Sequence, residues 1–288
     1  MVAFLISSNA GTFGCNRVVH IRRRKQGRKG QQGLNLTEIA LTFPVYLRIG
    51  GVTLHPHWVF ETLGYGVGLY GCYRGRTRLR DVIPAGARWT LVAAALAGGF
   101  VGSRLLAVFE EPLRVINRWS DPQILLSGKT IVGGLVGGLV AVELAKRLLR
   151  IRVPTGDLFT IPLIAGIAVG RVGCFLSGLD DQSYGVATGV PWGVDFGDGI
   201  SRHPTQLYEA AFLAALASAL VFLSDRLTVV GDRFKLFLLG YLFFRLLVDF
   251  IKPGVRVGGL STIQWVCLAV IAFYAPHARR LILEVRSG

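Results

Sequence analysis

Apolar residues are collected into long runs along this chain, and polar residues are concentrated in the short segments between the runs. A helix needs about 20 mainly apolar residues to cross the hydrocarbon core of a bilayer. Seven runs of nearly this length cover residues 57–73, 89–109, 128–147, 156–176, 206–223, 234–251 and 261–282. The pattern predicts an all-α fold, namely a polytopic membrane protein with about seven transmembrane helices and polar connecting loops.

The composition agrees with a membrane protein. Of the 288 residues, 52% are hydrophobic and only 17% are charged, whereas a soluble domain carries about 25% charged residues. The net charge of +15 could indicate a nucleic-acid partner, but the basic residues cluster in short loops between the apolar runs, which is typical of orientation in a membrane. We therefore expect contact with membrane lipids and no nucleic-acid binding.

The four cysteines are too scattered for a structural zinc site or a disulfide framework. They include no Cys-x-x-Cys pair, and no histidine lies at ligand spacing from them. They are Cys15, Cys72, Cys174 and Cys267. We expect Cys174 to be an inert, packed thiol.

Residues 1–42 are predicted to form a basic, disordered extension in front of a seven-span domain at residues 43–288. The basic residues of this extension, from Arg17 to Lys29, follow a mildly apolar stretch, whereas a signal peptide places them before its apolar region. Attachment to the membrane surface is the alternative interpretation. We assign no function to this segment.

The basic residues of the loops predict how the chain is oriented in the membrane. The segments after the first, third, fifth and seventh apolar runs contain 15 basic residues, and those on the other side contain 5. Because basic loops remain in the cytoplasm, we expect the amino terminus outside and the carboxyl terminus in the cytoplasm, although the basic extension runs against this count. The loop at 178–202, with its four aspartates, then forms a polar extracytoplasmic region.

Three arginines fall inside predicted spans, where a charged side chain is costly and by default marks a functional site. They are Arg104, Arg171 and Arg245. A guanidinium group is suited to bidentate binding of phosphate, which phospholipid head groups supply. Internal ion pairs are the alternative, since Asp249 lies one turn after Arg245 and Glu143 and Glu209 are further candidate partners. For Arg104 both interpretations are equally supported.

A polar segment with the sequence Arg-His-Pro-Thr-Gln-Leu-Tyr-Glu, residues 202–209, opens the fifth predicted span. Such side chains at a helix start can be solvated or capping groups, but a run this polar at the start of a membrane span favours a functional site. His203 can accept a proton near neutral pH. Glu209 could orient His203 or pair with Arg171. The candidate side chains are those of His203, Gln206, Tyr208 and Glu209.

The third predicted span contains a stripe of glycines. Gly133 and Gly134 recur four residues later as Gly137 and Gly138, which leaves a helix face without side chains and lets another helix approach closely. Helix packing and a groove for a lipid chain or head group are both compatible with this stripe.

His57 and Glu61 lie one helical turn apart near the outer end of the first predicted span. Together with His55 they could suggest a metal site, but no third ligand is evident from the sequence. We therefore expect neither a metal ion nor another cofactor.

Five motifs in collinear order resemble the bacterial prolipoprotein diacylglyceryl transferases over about residues 43–275. They are Leu-His-Pro-His-Trp at 54–58, Gly-Arg-Val-Gly-Cys-Phe-Leu-Ser-Gly at 170–178, the polar segment at 202–209, Phe-Phe-Arg-Leu-Leu-Val-Asp-Phe at 243–250 and Gly-Leu-Ser-Thr-Ile-Gln-Trp at 259–265. Members of this family move the diacylglyceryl group of phosphatidylglycerol onto the cysteine thiol of a prolipoprotein signal peptide. They act at the outer face of the bacterial inner membrane.

The resemblance implies a role for each matching residue. Arg171 and Arg245 are expected to bind the leaving phosphate, and Gly185 corresponds to a signature glycine. The implied catalytic residues are Arg171, Arg245, His203 and Glu209. The implied substrate contacts are Gly133, Gly134, Gly185, Gln206, Tyr208, Asp249, Arg104 and His57.

The chain also departs from the family pattern. The family usually has a histidine, a proposed base, where this chain has Val132; an asparagine is replaced by Cys174 and a tyrosine by Val59. Loss of a general base commonly costs about 10²–10⁴ in rate. A non-catalytic, phospholipid-binding relative is therefore an alternative. A solute transporter would be expected to show internal repeats, and the sequence shows no convincing one.

Overall fold

The computed structural model describes residues 42–78, 85–112, 116, 128–227 and 229–287. The predicted basic extension therefore lies outside the described residues except for residue 42, and so do Arg80, Arg114 and Arg118 of the loops used to predict the orientation.

The described part of the chain is mainly helical, and its seven long helices follow the predicted spans closely. They are α1 (Pro56–Arg78), α2 (Ala85–Glu110), α3 (Ile131–Leu148), α4 (Asp157–Ser177), α5 (Thr205–Phe222), α6 (Asp232–Val248) and α7 (Thr262–Ser287). Three helical segments are long and apolar enough to cross a membrane: Gly86–Glu110, Asp157–Asp181 and Thr205–Phe222. The prediction of a helical membrane protein is confirmed, and the number of spans remains a prediction.

The connecting segments contain two short antiparallel hairpins that the sequence analysis did not predict. Strand β1 (Leu47–Ile49) pairs with β2 (Val52–Leu54), and β3 (Val194–Asp195) pairs with β4 (Ser201–Arg202). Gly50 and Gly51 join the first pair with φ angles of 55° and 83°, as a tight hairpin turn requires. Strands of two or three residues are too short to produce a recognisable alternating pattern, so the all-α prediction holds only for the long elements.

The glycine stripe of α3 packs directly against α2. A Cβ atom added at Gly102 would lie 2.4 Å from the carbonyl oxygen of Gly133, and one added at Gly137 would lie 2.3 Å from that of Gly98. The two backbones therefore approach as closely as small-residue stripes allow. The helix-packing interpretation of the stripe accounts for this face of α3.

Helix α1 packs along α4 in a similar way. A Cβ atom at Gly64 would lie 2.7 Å from the carbonyl oxygen of Gly166, and one at Gly166 would lie 2.9 Å from that of Gly64. Helix α4 also packs against α5, and α5 contacts α6, where Phe212 and Phe244 stack with their ring centroids 4.3 Å apart. Helices α4, α5 and α6 thereby bring their polar residues together.

Candidate functional site

Two arginines from different helices meet on one buried carboxylate. The Nε atom of Arg171 on α4 lies 2.9 Å from Oε1 of Glu209 on α5, and Nη1 of Arg245 on α6 lies 3.2 Å from Oε2 of the same carboxylate. The three residues are only 8%, 2% and 4% exposed, in that order. The predicted pairing of Glu209 with Arg171 is confirmed, and Arg245 is a second partner.

Further polar groups complete this arginine cluster, which we define as Arg171, Glu209, Tyr241, Arg245 and Asp249. The Tyr241 hydroxyl donates to Oε1 of Glu209 at 2.7 Å. Nη2 of Arg245 donates to Oδ1 of Asp249 at 3.2 Å, which confirms the predicted pair one turn apart, and the Ser261 hydroxyl donates to the other oxygen of Asp249. Every charge of the cluster thus has an opposite charge beside it, as burial requires.

The other candidate partner, Glu143, does not reach the arginines. Its carboxylate accepts a hydrogen bond from Lys146, three residues further along α3, at 2.8 Å. The expectation that Glu143 pairs with an intramembrane arginine is therefore wrong, because a lysine on its own helix is closer.

Lys252 adds a further positive charge next to the arginine cluster, beyond the end of α6. Burial, together with the positive charges of Arg245 and Arg171, lowers the pKa of Lys252 to about 8, while Glu209 and Asp249 act in the opposite direction. The two guanidinium groups balance the two carboxylates of the cluster. Lys252 adds a positive charge beside them, and the carboxyl group of Glu110, at the end of α2, interacts with Lys252, Arg245 and Asp249.

Gln206 is a buried side chain without a partner in the described part of the chain. It is 1% exposed, and neither its amide nitrogen nor its amide oxygen has a hydrogen bond there. Such atoms cost about 1–3 kcal/mol each when left unpaired. Gln206 precedes Glu209 by three residues on α5, so both lie on the same side of that helix.

His203 lies before α5 in a short hydrogen-bonded chain. Its Nδ1 is 3.1 Å from the Tyr208 hydroxyl, which also accepts the indole N–H of Trp192 at 2.8 Å. Gly185 holds the backbone in place, because its N–H donates to the His203 carbonyl at 2.8 Å and a Cβ there would lie 2.7 Å from that of His203. The structure thus brings Gly185, His203 and Tyr208 together as a second group of predicted site residues, separate from the contacts of the arginines.

The arginine that opens the polar segment has a separate role. Both terminal nitrogens of Arg202 donate to Asp198 at 2.7 Å, and its guanidinium lies 5.0 Å from the ring centroid of Tyr184. This bidentate bond holds the pKa of Asp198 below its usual value. The pair closes the loop that connects β3 to β4.

His57 lies in a second polar cluster, which the sequence analysis missed. Its Nδ1 is 3.1 Å from Oδ1 of Asp181, in the turn after α4, and its Nε2 is 3.3 Å from Glu61. Cys174 of α4 lies beside them: the donor atoms of His57, Cys174 and Asp181 are all within 4.8 Å of one another. The expectation that His57 has no third potential ligand nearby is wrong, because the packing of α1 on α4 supplies two.

Arg104 and the two glycines of α3 make other contacts. Arg104 donates to the Gly128 carbonyl at 2.9 Å and lies 5.4 Å from the ring centroid of Phe100, and it makes no ion pair within the described residues. The interpretation that Arg104 forms an internal ion pair is therefore wrong for the described residues. Gly133 faces α2 and also lines an apolar groove of about 220 Å³ with Leu105, Phe109, Val136 and Val266, among others. Gly134 faces Gly99.

The three cysteines in the described part of the chain are free thiols, namely Cys72, Cys174 and Cys267. Cys174 differs from the other two because it also lies 4.0 Å from Nη1 of Arg171, so it connects the arginine cluster with the surroundings of His57.

The fold and the arginine cluster define a helical membrane protein with a buried, polyionic site. The sequence model of the family described as prolipoprotein diacylglyceryl transferase matches residues 44–276. The chain belongs to this family, and the resemblance noted in its motifs is thereby confirmed.

Individual relatives agree with this assignment. The chain is 31% identical to the phosphatidylglycerol–prolipoprotein diacylglyceryl transferase of Bordetella parapertussis, over 79% of this chain and 91% of the relative. It is 30% identical to the Geobacter sulfurreducens enzyme of the same name, over 76% and 85%, and 28% identical to that of Nitrosospira multiformis, over 79% and 82%.

Proposed function

We propose that this protein transfers the diacylglyceryl group of phosphatidylglycerol to a prolipoprotein, as the names of its relatives state for them, and that the acceptor is the cysteine thiol of the signal peptide. The observation that carries the proposal is the meeting of Arg171 and Arg245 on Glu209. In the reaction, the thiolate sulfur attacks the glycerol carbon of the lipid, the bond from that carbon to the phosphate oxygen breaks, and glycerol phosphate leaves.

The arginine cluster suits the leaving phosphate because negative charge builds up there in the transition state. Glu209 fixes both guanidiniums but does not use all their donors. Nη2 of Arg171 has no hydrogen-bond partner among the residues described, and Nη1 has only the long contact to Cys174. These N–H groups, with protonated Lys252, can bind phosphate oxygens. The unpaired amide of Gln206 can bind the glycerol part of the head group.

The acceptor thiol must lose its proton, and His203 is the group we assign to this step. The Tyr208 hydroxyl can accept the Nδ1–H of His203 as well as the N–H of Trp192, since a hydroxyl oxygen has two lone pairs. In that tautomer Nε2 of His203 carries the lone pair that takes the thiol proton. This assignment supplies a base in a chain where the usual histidine is Val132.

The predicted orientation fits this chemistry. With the amino terminus outside and the carboxyl terminus in the cytoplasm of the bacterial inner membrane, the loop with Trp192, Asp198 and Arg202 faces the side where a translocated signal peptide presents its cysteine. The apolar groove beside Gly133 would then accommodate an acyl chain of the lipid.

The alternative of a non-catalytic, phospholipid-binding relative has no observation in its favour. Val132 removes one proposed base, but the relatives that match over more than three quarters of this chain carry the transferase name. The arginine cluster, Gly185 and the His203 segment are all present.

The test is complementation of a bacterial strain depleted of its own transferase, with lipidation of a reporter prolipoprotein followed by a gel-mobility shift. We expect the wild-type chain to restore lipidation, and Arg171→Ala and Arg245→Ala to lose it. Arg152→Ala, which removes an exposed arginine between α3 and α4, is the matched control. Failure of the wild-type chain, when present in the membrane at normal amount, to lipidate the reporter would refute the proposal.

A further inference from the structure

Three side chains with different metal-binding atoms meet beside the arginine cluster. His57 comes from α1, Cys174 from α4 and Asp181 from the 3₁₀ turn Gly178–Asp181 that continues α4. Their nearest donor atoms, an imidazole nitrogen, a thiol sulfur and a carboxylate oxygen, all lie within 4.8 Å of one another. We call these three residues the Cys–His–Asp cluster.

The imidazole of His57 is oriented as metal-binding imidazoles are. A ligating histidine almost always directs its second ring nitrogen to a carboxylate or carbonyl, which fixes the ring and its tautomer. Here Glu61 lies 3.3 Å from Nε2, while Nδ1 faces Asp181 at 3.1 Å. Glu61 is itself fixed by Lys129 at 2.9 Å and by the Tyr65 hydroxyl at 2.9 Å.

The donor set selects a class of metal ion. A thiolate favours zinc and other thiophilic transition metals over magnesium or calcium, and an imidazole with a carboxylate suits the same ions. With Cys174 and Asp181 each contributing one negative charge and His57 neutral, a divalent cation gives a neutral site. The side chain of Asp181 is only 8% exposed and accepts a hydrogen bond from Ser183. A thiolate at Cys174 would have Arg171, at 4.0 Å, and the bound cation as its positive neighbours.

We propose that His57, Cys174 and Asp181 bind one thiophilic divalent cation of the zinc class, with the fourth position open to water or a small ligand. Glu61 is a positioning residue for His57. Binding releases the protons of the Cys174 thiol and of His57 Nδ1, and the metal takes their place. The resemblance to the transferases gives no counterpart for Cys174, which stands where that family has an asparagine, so the site is a property of this chain.

The proposal is tested by metal binding to the full chain purified in detergent under reducing conditions and stripped with a chelator. Zinc is titrated in competition with a chromophoric chelator, and cobalt is added separately as a spectroscopic probe. We expect one high-affinity equivalent of zinc, and a near-ultraviolet thiolate-to-cobalt charge-transfer band. Absence of a stoichiometric site in the wild-type chain would overturn the proposal.

Variants assign the ligands. Cys174→Ser should abolish the cobalt band, and Asp181→Asn should weaken zinc binding, whereas Cys15→Ser, Cys72→Ser and Cys267→Ser should leave both measurements unchanged. Glu61→Gln should retain the band and weaken zinc about 10–100-fold, as loss of a group that orients a ligand does. Thermal unfolding of the metal-free variants verifies that each is folded. A band that persists in folded Cys174→Ser would contradict the assignment, whatever the transferase activity of the chain.

Discussion

The guanidinium of Arg171 and the carboxylate of Glu209 approach to 2.9 Å across the interface of α4 and α5, with side chains only 10% and 3% exposed. An isolated charge in such a place costs many kcal/mol, so each of these residues needs an opposite charge beside it. Because Glu209 also binds Arg245, one carboxylate holds three helices in register around the cationic site.

The first prediction concerns the charge of Glu209. Glu209→Gln keeps the shape of the side chain but leaves two buried guanidiniums without their shared anion, and breaking a buried ion pair costs about 3–5 kcal/mol. We expect a markedly lower midpoint of thermal unfolding in detergent, together with loss of lipidation in cells. Asp225→Asn is the control, because the Asp225 carboxylate is exposed in the turn after α5. Equal midpoints for the two variants would show that Glu209 does not hold the cluster together.

The second prediction concerns the hydroxyl group of Tyr241. Tyr241 is 0% exposed and donates to Oε1 of Glu209 at 2.7 Å. A hydrogen bond to a charged group contributes about 1.5–3 kcal/mol, so Tyr241→Phe should lower the free energy of unfolding by that amount. Transferase activity should fall less than in Glu209→Gln, because the ion pairs remain. Tyr73→Phe, at a 69% exposed tyrosine, should change neither measurement.

Much of the fold and part of the site could be predicted from the sequence because their signals are local. Runs of apolar residues predict the helices to within a few residues, and the spacing of Arg245 and Asp249 predicts a bond between side chains on the same helix. Glu209 could be predicted as a partner of Arg171 because few carboxylates lie at the depth of the intramembrane arginines. Glu143 met the same condition, but the prediction that it pairs with an intramembrane arginine was wrong. The composition of an apolar run does not reveal on which side of the helix a residue lies.

The surroundings of His57 could not be predicted from the sequence. Asp181 reaches His57 only because α1 packs on α4 through the Gly64–Gly166 contact and because α4 continues into a 3₁₀ turn. Neither the glycine contact nor the 3₁₀ turn produces a periodic pattern in the sequence from which it could be predicted. The interpretation of Cys174 as an inert packed thiol considered burial alone, and its neighbours Arg171 and His57 alter that picture.

The third prediction tests the close contact of α2 and α3. Gly133→Ala would place a Cβ atom 2.3 Å from the Gly102 carbonyl oxygen. Backbone cannot yield as a flexible side chain can, so the helices must separate, at a cost of about 1–3 kcal/mol. We expect a lower midpoint of thermal unfolding in detergent.

A matched glycine in α1 supplies the control for this prediction. A Cβ atom at Gly66 would have no neighbour within 4 Å, so Gly66→Ala should raise the free energy of unfolding by about 0.5–1 kcal/mol, the difference in helix propensity between the two residues. If Gly133→Ala were as stable as Gly66→Ala, the glycine stripe would not be a packing surface and the groove interpretation would gain support.

Lys252 makes the charge of the site depend on pH. Its pKa is lowered from 10.5 to about 8 by burial and by Arg245 and Arg171. The unfolded chain therefore binds this proton more tightly than the folded chain between these two values. The contribution of Lys252 to the free energy of unfolding thus rises as the pH rises from about 8 to 10.5, and is constant below and above that window. Binding of an anionic lipid should have the opposite preference, because it favours protonated Lys252.

The last prediction follows from these opposite effects of pH on folding stability and on lipid binding. Equilibrium binding of a non-reactive phosphatidylglycerol analogue, measured with the wild-type chain in detergent, should weaken about tenfold, or 1.4 kcal/mol, as the pH rises through about 8. Lys252→Arg keeps its charge at every pH in this range. In a Glu110→Gln background, which removes the carboxyl group that interacts with Lys252, the affinity of Lys252→Arg should therefore stay constant, and Lys252→Met should bind weakly at every pH. Binding is preferred to turnover here because the acceptor thiol itself titrates near this pH. A wild-type affinity that does not change through this pH range would remove Lys252 from the phosphate site and leave the charge of the arginine cluster to its two guanidiniums.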